Sequence, residues 1–144
     1  MAIDSEIVWN SLEVSIDVPP GLVNNRTFVP LRFIAEELGL AIGYNKDTGV
    51  IDIDEEPEIS PSELVVNEVE LLPTTFKIDV ELNDFDFDSI EGLSETADYT
   101  VNADNDIILT ETYLEGITKV TTNLVIVFVK DTVEIKESFV IKLN

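Results

Sequence analysis

The chain has 144 residues, 44% of them hydrophobic, enough for one ordinary domain or two small ones with cores of their own. Thirty acidic residues against eight basic ones give a formal charge of -22, which disfavours nucleic acid and anionic membrane surfaces, since both need basic neutralisation. With no cysteine and no histidine, disulfides, thiolate nucleophiles, thiolate-ligated metals and the commonest general base are excluded.

What remains for ordinary chemistry is a pair of carboxylates across a cleft, and nothing marks one pair among thirty acids. The expectation is a protein that is not an enzyme. No apolar run approaches the ~18 residues that span a bilayer, so membrane insertion is not expected. The opening MAIDSEIVWN lacks the basic and apolar regions of a signal peptide. That leaves an intracellular chain or one whose signal has been removed. The acidic surface reads most simply as a solvated, self-repelling coat; calcium binding, a basic partner or life in high salt are the sharper alternatives.

In chain order, Ile7-Val8 and Leu12–Ile16 flank Asn10-Ser11, the pattern of an opening β-hairpin that Pro19-Pro20-Gly21 stops. Trp9 sits beside the turn, where it could cap a small core or stack on a ligand; packing is the commoner role. Pro30 suits the first turn of a helix, where its missing N–H leaves nothing unpaired. Leu31, Ile34, Ala35 and Leu38 then share one helical face. Gly39 follows at the position where a left-handed residue ends a helix most cheaply. Arg26 and Arg32, in so acidic a chain, read as structural ties to carboxylates or backbone carbonyls. Tyr44–Gly49 reads as a turn between Leu40–Ile42 and Val50–Ile53.

The run Val18–Ile53, VPPGLVNNRTFVPLRFIAEELGL with its polar hairpin and VIDI, resembles the stalk domain named after the N-terminal domain of copper amine oxidases. The resemblance spans about residues 7–54, with Asn25 where the family has glycine and Tyr44 where it has tryptophan. It implies a module of bacterial surface or secreted proteins, and so favours a removed signal and an extracellular or cell-surface location. It does not imply copper, which in those oxidases belongs to a separate domain rich in histidine.

Asp54-Glu55-Glu56-Pro57-Glu58 is the clear break in composition, a poor strand and a good exposed joint. It divides the chain into residues 1–56, an α+β domain with one helix on a small antiparallel sheet, and residues 57–144. The second part reads as all strand. Phe76, Ile78, Val80 and Leu82 alternate with Lys77, Asp79 and Glu81, the period of a half-buried strand. Leu124–Val129 is a continuous apolar run suited to a central strand, and Phe139, Ile141 and Leu143 alternate again. Short strands with polar turns imply a small antiparallel sandwich.

Ile59-Ser60-Pro61, Leu82-Asn83, Ser89-Ile90, Asp98–Val101, Ile107–Leu109, Tyr113-Leu114 and Val120–Leu124 occur in the order and spacing of the X-two type module of cellulosomal scaffoldins. That resemblance covers nearly all of residues 58–144. It implies an immunoglobulin-like β-sandwich, described as a spacer and as a binder of cellulose and cell walls.

Two oxygen-rich segments are candidate calcium sites. Asp84, Asp86 and Asp88, with Glu95 eleven positions after Asp84, mimic an EF-hand loop, but Ser89 stands where the sharp turn needs glycine. Asp104 and Asp106, beside Asn102 and Asn105, have the composition of an ordinary turn. For both, the structural reading is favoured over the metal. Trp9, Tyr44, Tyr99 and Tyr113 are the candidate sugar-stacking rings, few in number and scattered along the chain. The leading functional expectation is a non-catalytic spacer and adhesion module, partnered by the other modules of a larger parent. A carbohydrate- or wall-binding module is the second reading. A self-assembling surface-layer or filament subunit, pairing through strand edges such as the last one, is the third. No cofactor beyond loosely held calcium is expected.

Overall fold

Alternating apolar and polar residues write most of this chain as strand, and the computed structural model shows where each strand finds a partner. It describes residues 6–9, 12–15, 20–66 and 73–144, the first two segments as backbone alone. The expected turn at Asn10-Ser11 and the side chain of Trp9 lie outside the described residues. The first part runs β1 Glu6–Trp9, β2 Leu12–Ser15, β3 Gly21–Val23, β4 Arg26–Phe28, α1 Leu31–Glu37, β5 Leu40–Tyr44 and β6 Ile51–Glu55. Its strands pair only as three separate antiparallel ladders, β1–β2, β3–β4 and β5–β6. The expected single small sheet under the helix is therefore corrected to three two-stranded ribbons among the described residues.

Such ribbons offer little area to bury a helix face against. Of the apolar face of α1, Ala35 is buried and Ile34 half-buried, while Leu31 is 46% exposed and Leu38 59% exposed. Gly39 takes φ +70 just past the helix, a conformation that costs glycine little. The β5–β6 turn is held by Asn45, whose Oδ1 accepts from the backbone N–H of Asp47 at 3.0 Å and of Thr48 at 3.1 Å.

The second part continues β7 Glu58–Ser60, β8 Glu63–Val66, β9 Phe76–Glu81, β10 Asp86–Ile90, β11 Tyr99–Val101, β12 Ile107–Leu109, α2 Glu111–Glu115, β13 Thr121–Lys130 and β14 Val133–Leu143. These make two four-stranded sheets, β10-β13-β14-β8 and β11-β12-β9-β7. All ladders are antiparallel except β14 with β8. Both sheets feed one apolar cluster that includes Ile78, Ile107 and Leu109 from one and Ile90, Ile126, Phe128, Phe139 and Ile141 from the other. Leu114, on α2, is buried in the same cluster. β9 buries Ile78 and exposes Lys77, Asp79 and Glu81, as its period requires.

Two further expectations are corrected in part. The joint after Ile53 is not strand-free, since Asp54 and Glu55 lie in β6 and Glu58 opens β7; Glu55 and Glu58 are exposed as expected, but Pro57 between them is among the fully buried residues. The reason is that the ladder continues to Leu40↔Glu55, and Asn83 Nδ2 then donates to the Glu56 carbonyl at 2.8 Å. The last strand, β14, is an edge over only part of its length: β13 pairs it along Val133–Lys142, whereas β8 pairs only Val140–Leu143 on the other side. A long alternating strand has two faces to bury and two edges to pair, and only the first property shows in sequence.

Candidate functional site

The four candidate sugar-stacking rings have different fates. Tyr99 is 3% exposed, at the start of β11, with its ring edge-on to Phe87 at 5.8 Å between centroids. Burial pushes its hydroxyl pKa up, against a backbone hydrogen bond at Ile90 that acts the other way. Tyr99 is thus a core residue and not an exposed platform. Tyr113 is half-buried on α2 and lines a shallow groove with Ile117, Lys119 and Asp98. Burial, then the Asp98 carboxylate, raises its hydroxyl. Tyr44 is exposed at the end of β5. It lines a different groove, with Asn45, Asp52 and Asp131. The structure brings no two of the described candidate rings into one groove.

The candidate calcium ligands are likewise distributed by local structure. Phe85 is buried and Phe87 half-buried, so the alternation of β10 leaves Asp86 and Asp88 exposed beside a turn in which Asp84 has φ 71. Asp88 accepts a hydrogen bond from Ser89 Oγ at 2.8 Å. In the other segment Asn102 Oδ1 accepts from the N–H groups of Asp104 and Asp106, both at 2.9 Å, closing a compact loop. Asn102 Nδ2 donates to Asp106 Oδ2 at 3.0 Å, and Lys77 Nζ reaches the same oxygen at 3.2 Å. Asn102, then Lys77, holds the Asp106 carboxyl below its usual range. Lys77 is raised by Asp79 first and by Asp106 next. Among the described residues no three acidic side chains are grouped as metal ligands would be.

The helix-region residues are placed as follows. Arg32 Nη1 lies 3.6 Å from Glu36 and donates to the Ile42 carbonyl at 3.5 Å, a long contact. Arg26 is exposed at the start of β4. Pro30 stands at the N-cap of α1 with φ -64 and ψ 117.

The most built feature joins the first part of the chain to the second. Lys130 Nζ, at the end of β13, meets Asp54 Oδ1 at 2.6 Å with both side chains about a quarter exposed. Asp54 raises the lysine pKa by hydrogen bond and by charge. Beside it Gly43 faces Val133 so closely that a Cβ on the glycine would stand 2.9 Å from Val133 Cγ2. Ala41, one strand residue away in period, belongs to the common apolar cluster. Four residues further along β14, Glu137 faces a cleft lined by Leu38, Leu40, Glu55, Glu56, Glu58 and Asn83. Burial first, then Glu56 and Glu58, pushes its carboxyl pKa up. Sequence reasoning missed this seam because its pairs are distant along the chain. One signal was present: a glycine within a strand often marks close approach of another backbone or side chain.

The chain is therefore β-rich, with two short helices among the described residues. Residues 1–53 match the family model for the copper amine oxidase N-terminal domain. No curated protein and no solved structure matches the chain. Copper itself does not fit these residues: the sequence offers neither imidazole nor thiolate, the ligands that suit it.

Proposed function

We propose that the chain is a non-catalytic spacer and adhesion module of a larger secreted or surface-attached bacterial protein, acting outside the cell. The observation that carries this reading is the match of residues 1–53 to a stalk-type module. The seam at Lys130–Asp54 and Gly43–Val133 supports it, because a spacer transmits position only if its parts are fastened together. On this reading residues 57–144 are the X-two type immunoglobulin-like partner of the stalk, and the acidic coat keeps neighbouring modules apart. Deleting the chain from its parent should shift attachment to substrate or cell, with the neighbouring modules still active in isolation. Unchanged attachment overturns it.

Tyr113 favours a second reading, since it is half-exposed beside the polar groups of Asp98, Thr118 and Lys119. A glycan stacked there would make the module a carbohydrate- or wall-binding one. Sedimentation with cellulose and with peptidoglycan separates the two: the spacer stays in solution, whereas retention lost in Tyr113→Ala but kept in Tyr99→Phe marks a sugar site. Self-assembly is favoured by a different feature, the exposed apolar residues Leu22, Val23, Phe28, Val29, Leu31 and Leu38 of the first part. Light scattering that finds a monomer at every concentration removes that reading.

A further inference from the structure

In a chain of formal charge -22, Val18–Ala35 is the longest run free of acids, and it carries Arg26 and Arg32. Its described part holds β3, β4 and the start of α1. Register sets Val23 across from Arg26 and Gly21 across from Phe28, so Val23, Arg26 and Phe28 share one face of the ribbon. Val23 and Phe28 are each more than half exposed, and Arg26 is exposed beside them. An arginine framed by large apolar groups is the make-up of an interface centre, and its guanidinium is shaped to take carboxylates.

The carboxylates to match that face lie on the same molecule. In the groove beside Tyr44, Asp54 is paired with Lys130, and in the groove along β9, Asp79 and Asp106 are paired with Lys77. The cleft at Glu137 differs: Glu55, Glu56, Glu58 and Glu137 line it with no basic side chain, together with half-buried Leu40 and Ile59. Glu58 also stands directly across from Glu81 in the β7–β9 ladder, a like-charge pair that a cation would relieve. At about 560 Å3 the cleft is of ligand-taking size, with room for an arginine and a neighbouring apolar side chain.

We propose that the Val23–Arg26–Phe28 face of one copy docks in the Glu55–Glu58 and Glu137 cleft of a second copy. The inference rests on the self-assembly reading and names its interface. The two patches differ, so the contact is head-to-tail and leaves one of each open on every pair. Such contacts build rings or open chains rather than two-fold dimers. Net charge opposes the approach of two such chains. At physiological salt that repulsion is screened beyond about 8 Å, which leaves the complementary patches to decide.

Analytical ultracentrifugation of the chain at physiological salt, over a concentration series, tests this. The parent should associate beyond two copies. Arg26→Ser with Phe28→Ser empties the face, and Glu55→Lys with Glu58→Lys reverses the cleft; all four positions are exposed. Each variant alone should associate at least about tenfold more weakly, the loss of one interface hot spot. Mixed in equal amounts, the two should recover pairs and nothing larger, because one intact face meets one intact cleft; that recovery also shows that both are folded. Lys46→Ser, which removes an exposed cation in the β5–β6 turn, should associate as the parent does. A parent that stays monomeric removes the self-assembly reading and this interface with it. The interface alone is overturned, with self-assembly left standing, if the parent assembles and the Arg26→Ser, Phe28→Ser variant does so equally well, if the mixture fails to pair, or if Lys46→Ser dissociates to the same extent.

Discussion

A single tyrosine shows how far residue type alone can mislead. Tyr99 has the chemistry of a stacking platform, yet its neighbours decide its role: Leu109 opposite it in the ladder and Phe87 against its ring edge, with almost no surface left exposed. Truncation should therefore cost stability. We expect Tyr99→Ala to lower the free energy of unfolding by about 3 to 5 kcal/mol, the usual range for emptying a buried aromatic site, measured by chemical denaturation. Tyr99→Phe should cost far less, since the ring remains. In the structure Tyr99 and Val101 alternate around exposed Thr100 as a short strand; three residues give no asymmetry from which the inward face could be read in the sequence. Asn102 is the opposite case. Its residue type already implied a turn, and the backbone bonds to Asp104 and Asp106 are what such a side chain makes.

At the scale of elements, the two helices differ in what anchors them. α2 has five residues, but Leu114 is fully buried and Thr110 caps its first turn, accepting from the Tyr113 N–H at 3.3 Å. The same hydroxyl has the Ala97 carbonyl 2.8 Å away as its acceptor. Thr110→Ala should cost about 1 kcal/mol by the ordinary worth of an N-cap, read as a shift in denaturation midpoint without change of slope. α1 has seven residues, one of them buried and no side-chain cap. A helix that short is not stable without packing. Its amides should exchange with solvent faster than those of β13, the central strand with Ile126 and Phe128 at zero exposure. Equal protection measured by hydrogen exchange would show that the helix is buried against something more than β5. Helical spacing made α1 visible in the sequence, as the apolar run made β13 visible. The partners of each face were not, since they come from residues far along the chain.

On the scale of the molecule, the composition break at Asp54–Glu58 promised a loose exposed link, and the structure instead buries Pro57 there and fastens both sides. Like charge in a linear stretch argues for separation only when nothing else holds the backbone, and here a ladder and a carbonyl hydrogen bond do. The packing part of that fastening can be isolated at Gly43. Its φ is ordinary for a strand, so replacing it with alanine strains nothing in the backbone and should by itself add about 0.4 to 1 kcal/mol through the unfolded state. The new Cβ would nonetheless meet Val133 Cγ2 at 2.9 Å, and a valine in a strand has little χ1 freedom with which to yield. Overpacking of this kind costs about 1 to 3 kcal/mol, so the clash outweighs the gain and Gly43→Ala should destabilise. Val133→Ala removes the obstructing methyl groups. In that background Gly43→Ala should become neutral or stabilising, giving a coupling of about 0.5 to 3 kcal/mol in a double-mutant cycle. Additive effects of the two changes would mean that Gly43 does not rest on Val133, leaving Ala41 in the common core, the Lys130–Asp54 pair and the Asn83–Glu56 hydrogen bond to join the two parts of the chain.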